Sequence, residues 1–235
     1  MNDEERAVYL AFVHRSFRDM ADMDYIGARV LYRSGLLPPF LNAANQAIEK
    51  YLKAILLYND RSAKGLGHDL EKALARIGDA ADLQLDLPED VQSFIKRLNG
   101  EGGNRYFEFP MRVMGDELLH LDRAVWHLRR HADWHPPSEL LGRKRFSPVR
   151  QEHVHKFRLW GGYLERVLKK GSEQRKDLVW KNFYYGARKK RWIKLERRME
   201  FANPAHSLDP WIFPLLSKVV DFSKDTKAWF ANSGE

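Results

Sequence analysis

The chain has 235 residues, of which 44% are hydrophobic and 12% aromatic, a composition that excludes an intrinsically disordered protein. It contains no cysteine, which excludes disulfides and thiolate zinc sites, and its apolar runs are too short to span a bilayer. Residues 1–134 hold 18 Lys and Arg against 21 Asp and Glu, whereas residues 135–235 hold 22 against 11. The acidic N-terminal sequence does not resemble a secretory signal, so we expect a cytoplasmic protein.

Apolar residues at three- and four-residue steps predict helices in the first part of the chain. These helices are residues 3–18, 19–34, 39–58, 69–77, 88–98 and 111–131. Pro38 and Pro39 suit the first turn of the third helix, where no N–H partner is needed. Asp69 can cap the fourth helix, and Pro88 can occupy the first turn of the fifth. The sequence therefore predicts an all-α, up-and-down helical bundle.

The pattern is less regular after Pro136 and Pro137. Helices are predicted over residues 151–170 and 210–223. The composition of residues 173–201 suits a helix, but the last apolar residues of that segment also alternate with period two, so a strand remains open there. We expect two domains, a helical bundle over residues 1–134 and a basic, aromatic-rich, mostly helical extension over residues 135–235.

The helix predicted over residues 39–58 carries a polar face beside its buried stripe. The residues of this face recur at a spacing that can line a cleft: Asn45, Gln46, Glu49, Lys50 and Lys53. The alternative is an ordinary solvated face, in which Glu49 and Lys53 form an i,i+4 pair.

The segment that begins at Gly35, GLLPPFLNAANQAIEKYLKAILL, and the following GHDLEKAL resemble the HEPN domain, named for nucleotide binding in higher eukaryotes and prokaryotes. In that family a Gly-Leu turn precedes a helix of pattern A-x-Q-A-x-E-K-x-L-K-A, and His-Asp-Leu opens the next helix. Asn104-Arg105-Tyr106 is similar to the Arg-Tyr signature of one HEPN branch. The resemblance covers about residues 18–134 and implies the helical bundle.

Several HEPN members are metal-independent ribonucleases, which use an Arg followed after four to six residues by a His. Here Arg105 has no His in that window, because positions 110 to 112 are Pro, Met and Arg. The resemblance therefore implies a branch that lacks this motif, and it favours a protein without enzymatic activity. The alternative is a divergent ribonuclease that uses another pair, such as Arg130 and His135.

The resemblance to non-catalytic HEPN branches implies a protein that binds a nucleotide or RNA. It also implies a homodimer, and a minimal nucleotidyltransferase as partner in a toxin–antitoxin or defence system. Carried over by position, the nucleotide-binding residues are Gln46, Glu49, Lys50, Lys53, His68, Arg105 and Tyr106. The cations and His68 would face a phosphate, and Tyr106 would stack on a base. The alternative is that Arg105 and Tyr106 only anchor their loop.

The basic extension contains a cluster of cations interleaved with Trp and Tyr, a combination typical of proteins that bind RNA or single strands. The predicted nucleic-acid-binding residues are Lys181, Arg188, Lys189, Lys190, Arg191 and Lys194. Two alternatives remain open: docking against an acidic surface, of this chain or of a partner, and binding to a membrane surface.

Three histidines of the last predicted helix, His120, His127 and His131, share one stripe. His127 and His131 are spaced as zinc or nickel ligands. A face that contacts the extension or a second copy of the chain explains the stripe as well. Without a carboxylate pair nearby, we predict neither a metal nor another cofactor.

Overall fold

The computed structural model describes residues 3–80, 83, 85–102, 112–113, 116–132, 162–169, 171–186, 201–202 and 213–218. The elements are α1 (Asp3–Val13), α2 (Met20–Arg33), α3 (Leu37–Tyr58), α4 (Leu70–Gly78), α5 (Glu89–Gly102), β1 (Arg112–Val113), α6 (Glu117–Arg129), α7 (Tyr163–Leu168), α8 (Arg175–Val179), β2 (Phe201–Ala202) and α9 (Phe213–Leu216). The predicted all-α helical bundle is confirmed. Among the described residues, strand structure is limited to the antiparallel pairing of β1 with β2.

The first two predicted helices form one continuous helical run, because a π-helical segment, His14–Asp19, joins α1 directly to α2. The extra residue per turn of a π-helix shifts the faces of α2 relative to those of α1. This shift turns Arg18 and Asp19 into the protein, where both are buried.

The turn between α2 and α3 depends on Gly35, whose φ is +77°. Its N–H donates to the carbonyl of Tyr32 at 3.0 Å, and the N–H of Leu36 donates to that of Leu31 at 2.9 Å. These are the two hydrogen bonds of a Schellman motif, which ends a helix with a residue in the left-handed region. The motif brings α3 back along α2.

Helix α3 is the central element and packs against α2, α4, α5 and α6. Tyr51, Leu52, Ile55 and Leu56 are fully buried on it, which explains why its apolar stripe gave the clearest helical signal. The apolar spacing of the last helix predicts a buried stripe of Met114, Leu118, Leu121, Val125 and Leu128. The last four are buried, as predicted, and Met114 lies outside the described residues.

The predicted start of the last long helix at Met111 is wrong, because Arg112 and Val113 pair with β2 and the helix begins at Glu117. The described part of the helix predicted over residues 151–170 is the short helix α7. Within residues 173–201, the described parts are the short helix α8, the turns from Trp180 to Tyr185, and Phe201 at the start of strand β2, where the sequence left a strand open.

Helices α7 and α8 contribute Leu164, Val167 and Leu178 to the same hydrophobic core as the bundle. This part of the predicted extension therefore docks on the bundle, mainly against α2. A domain boundary after residue 134 stays a prediction. Within the described ranges, none of the helices has both the length and the hydrophobicity that a membrane span requires.

Candidate functional site

The polar face of α3 centres on Glu49, whose side chain is almost fully buried. Its Oε1 accepts a hydrogen bond from Lys53 Nζ at 2.6 Å, and its Oε2 lies 2.9 Å from His68 Nδ1. Lys53 Nζ also donates to the carbonyl of Gly67 at 2.7 Å. The His68 side chain is 71% exposed, so the cluster extends from the edge of the core to solvent. The structure thus brings together three of the seven predicted nucleotide-binding residues.

The local sequence explains this arrangement. Glu49 and Lys53 are four residues apart on α3 and therefore share a face. The loop from α3 to α4 then passes this face, anchored by Leu66, which is 2% exposed. Gly65 and Gly67 on either side of it have φ values of +74° and +58°, which glycine adopts without a steric penalty.

The Glu49 carboxylate is held ionised by its partners. Burial would raise the pKa of Glu49, but hydrogen bonds from Lys53 and His68 lower it below its ordinary value. Both carboxylate oxygens are occupied, so Glu49 orients Lys53 and His68 instead of offering an acceptor to a ligand.

Gln46 and Lys50 belong to a second cluster on the neighbouring part of the face. Lys50 forms an ion pair with Asp24 of α2, and its Nζ lies 3.5 Å from Gln46 Oε1. Asn45 is buried and donates to the carbonyl of Leu98 at 3.1 Å, which is a structural role. The single cleft-lining face expected from the spacing is therefore divided into two small clusters.

Arg105 and Tyr106 lie outside the described residues. Their approach to Lys53 and His68, on which the nucleotide site partly depends, stays a prediction.

A second polar group of residues, which the sequence did not reveal, lies inside the bundle around Asp22 of α2. Asp22 is fully buried and accepts hydrogen bonds from Tyr51 Oη at 2.6 Å and from Arg129 Nε at 2.7 Å. Burial would raise the pKa of Asp22, but the Arg129 guanidinium, helped by Arg18, lowers it below its ordinary value. Arg129 also donates to Glu165 of α7 at 3.0 Å.

The same carboxylates hold the first turn of α7. The N–H of Leu164 donates to Asp22 at 3.1 Å, and that of Tyr163 donates to Asp19 at 3.0 Å. Backbone N–H groups at a helix start need such acceptors. Gly162 permits the close approach, because a Cβ there would lie 2.9 Å from Arg129 Nη2.

A third buried group holds α8 against the bundle. Arg29 of α2 forms an ion pair with Asp122 of α6 and donates to the carbonyl of Asp177 at 3.0 Å. Tyr25 donates to Asp122 at 2.7 Å and accepts from Asn182 at 2.8 Å. These buried pairs fix how residues 162–186 sit on the bundle.

A sequence signal for these buried charges exists. On α6, Asp122 follows Leu118 by four residues and Arg129 follows Val125 by four, so both occupy the apolar stripe itself. A charged residue at such a position needs a partner, because an unpaired buried charge is strongly unfavourable.

The three histidines have different surroundings: His120 and His127 lie on α6, and His131 lies in the turn that follows it. His120 stacks on Phe94 with ring centroids 5.8 Å apart. Burial and the Arg130 guanidinium lower the pKa of both His127 and His131 to about 4. In the described ranges, His, Asp and Glu side chains form no group of three or more suited to a metal ion.

Arg130, one member of the predicted alternative ribonuclease pair, lies beside His127, with Nη2 2.7 Å from Nδ1. Its guanidinium also lies 5.8 Å from the centroid of the Trp126 ring. The other member, His135, is outside the described residues.

Of the predicted nucleic-acid-binding residues, Lys181 is described. Its Nζ lies 5.0 Å from the centroid of the Trp180 ring, which Arg33 of α2 also contacts at 5.6 Å. The other five, Arg188, Lys189, Lys190, Arg191 and Lys194, lie outside the described residues.

Comparison with known families matches residues 14–107 to the HEPN domain. The match covers 94 of the 235 residues and spans α2, α3, α4 and α5. It supports the HEPN family for this part of the chain, and with it a function related to nucleotides or RNA at the level of the family. No curated protein and no solved structure matches.

Proposed function

We propose that this protein binds a nucleotide or RNA through its HEPN domain and its basic C-terminal segment. The observation that carries the proposal is the cluster of Lys53 and His68 around Glu49, which lies within the matched segment and opens to solvent. Lys181 beside Trp180 adds a cation on an aromatic ring, and the other five predicted nucleic-acid-binding cations follow it within 13 residues of the sequence.

A salt titration of RNA binding tests this proposal. We expect the full chain to bind a single-stranded RNA oligonucleotide at low salt. The logarithm of its binding constant should fall linearly with the logarithm of the salt concentration. Neutralising Lys189, Lys190 and Arg191 with Gln should reduce the slope by about 2, since each lost phosphate contact on a single strand removes about 0.7. Absence of binding at low salt would overturn the proposal.

The control variant replaces Lys96, Lys169 and Lys176 with Gln. These lysines are exposed on or beside α5, α7 and α8. The control therefore lowers the net charge equally and leaves all six predicted nucleic-acid-binding residues in place. An equal loss of affinity in both variants would show a response to net charge alone and would contradict a specific surface.

The state of the recovered RNA separates binding from cleavage. We expect intact RNA, because the motif expected of HEPN ribonucleases is missing after Arg105. If the RNA is cleaved, and if Arg130→Ala and His135→Ala each abolish the cleavage, the protein is a divergent ribonuclease and the proposal is wrong.

We also propose a homodimer, a minimal nucleotidyltransferase as partner, and a cytoplasmic toxin–antitoxin or defence setting. These proposals rest on the family resemblance alone. A neighbouring gene for a small nucleotidyltransferase would support the partner, and the mass of the protein in solution tests the dimer.

A further inference from the structure

The loop between α3 and α4 is held by cations that bind its carbonyl oxygens. Arg76 Nη1 donates to the carbonyls of Ser62 at 3.0 Å and Lys64 at 2.7 Å. Lys72 Nζ donates to the carbonyl of Gly65 at 2.9 Å. Together with Lys53 on Gly67, three cations from α3 and α4 therefore fix the orientation of successive peptide groups.

This orientation determines where the N–H groups point. In a trans peptide, the N–H of the next residue points opposite to the carbonyl. The N–H groups of Ala63 and Gly65 therefore point away from Arg76. Neither N–H has an acceptor among the described residues.

Two side chains add donors at the same place. Ser62 Oγ accepts the N–H of Lys64 at 3.1 Å, which leaves the hydroxyl proton available to donate. The Lys64 side chain is exposed and has no partner among the described residues. Ser62, Ala63, Lys64 and Gly65 thus present two backbone and two side-chain donors within four residues.

The charges around the loop favour an anion. The acidic groups nearby are engaged elsewhere: Asp60 pairs with Arg6 at 2.9 Å, and Asp69 accepts the N–H of Lys72 at the start of α4. Glu49 is held by Lys53 and His68. Lys53 is thus compensated by Glu49, whereas Lys72 and Arg76 have no carboxylate partner among the described residues, so their field acts on the outer side of the loop.

We propose that the loop from Ser62 to Gly65 binds a phosphate group. The phosphate would accept from the N–H groups of Ala63 and Gly65 and from the Ser62 hydroxyl, while Lys64 supplies the counter-charge. Lys72 and Arg76 hold the loop from behind and do not contact this phosphate. The source of the phosphate, a nucleotide or the RNA backbone, rests on the proposed function.

Amide chemical shifts of the ¹⁵N-labelled full chain test the site. Titration with inorganic phosphate, a nucleoside triphosphate and a short single-stranded RNA should produce saturable shifts of the Ala63 and Gly65 amides. The control amide is Gly171, which also has a positive φ, +93°, in an exposed turn. Equal shifts at Gly171, or no saturable shift with any probe, would overturn the site.

Lys64→Gln should raise the Kd of the most tightly bound probe about tenfold, as expected for loss of one charge-assisted contact. Lys96→Gln, on an exposed face of α5, should leave the Kd unchanged. The order of affinities among the three probes identifies the source of the phosphate.

The two proposals can fail separately. If Lys64→Gln does not change the Kd for RNA and RNA does not shift the loop amides, the loop site is overturned and the proposed function stays intact. Saturable binding of inorganic phosphate at the loop, without binding of nucleotide or RNA, supports the site and overturns the proposed function.

Discussion

At the scale of single residues, Glu49 shows how a buried carboxylate organises an exposed surface. It accepts from Lys53 and contacts His68, and Lys53 in turn donates to Gly67 of the loop. One acid on α3 therefore sets the position of both the histidine and the loop that we propose to bind phosphate.

We predict that Glu49→Gln destabilises the protein by about 1–3 kcal/mol, because Lys53 loses its charged partner in a largely buried setting. The free energy of unfolding from urea denaturation measures the change. The control is Glu173→Gln, which breaks an exposed, solvent-screened pair with Lys176 and should leave that free energy nearly unchanged. Equal effects of the two variants would contradict the role assigned to Glu49.

At the scale of elements, the short helix α7 depends on carboxylates that belong to the helical run of α1 and α2. Asp19 and Asp22 accept its first N–H groups, and Arg129 links Asp22 to Glu165. A helix of six residues has little stability of its own, so its position comes from these contacts and from Leu164 and Val167 in the core.

We predict that Asp22→Asn destabilises the protein by about 3–5 kcal/mol, since it leaves the buried Arg129 without its charged partner. Hydrogen exchange should increase at α7 more than at α4, because α4 does not contact Asp22. Asp90→Asn, which breaks an exposed pair with Arg123, is the control and should leave exchange at α7 unchanged. Unchanged protection of α7 in Asp22→Asn would contradict the capping role.

The sequence predicted elements and local pairs better than distant ones. The spacing of Glu49 and Lys53 indicated their pairing, because four residues span one turn of a helix. The Asp22–Arg129 ion pair joins residues 107 apart, and no local pattern encodes such a partner. The π-helical segment was missed for a related reason: it changes which residues are buried without changing the helical composition. The helical spacing of Tyr9, Phe12, Val13 and Phe17 predicts a buried stripe on the first helix, yet Phe12 is 56% exposed.

At the scale of the whole molecule, charge and fold are linked through residues 162–186. This segment belongs to the basic part of the chain, yet its acidic groups pair with arginines of the bundle: Glu165 binds Arg129 of α6, and Asp177 pairs with Arg33 of α2 at 2.8 Å. Docking on the bundle therefore engages acidic groups of the basic part of the chain in ion pairs. The sequence after this segment, residues 187–235, holds 10 Lys and Arg against 6 Asp and Glu, which is consistent with an anionic partner.

We predict that the protein loses stability as the pH falls from about 6.5 to about 4, through His127 and His131. Burial and Arg130 lower the pKa of each to about 4 in the folded state, below the ordinary 6.5, while Asp86 acts in the opposite direction. The unfolded chain therefore binds more protons in this window, so the contribution is fully present above pH 6.5 and is lost as the pH falls through 4.

Thermal unfolding between pH 7 and pH 5 measures this dependence, in a window above the range where Asp22 and Glu49, with their lowered pKa values, take up protons. We expect Tm to fall by about 3–8 °C over these two pH units. The double variant His127→Gln and His131→Gln should start from a lower Tm at pH 7 but show a flatter profile, since neither Gln titrates. A slope equal to that of the unmodified chain would mean that other groups control the acid response and that the two histidines are not buried in their neutral form.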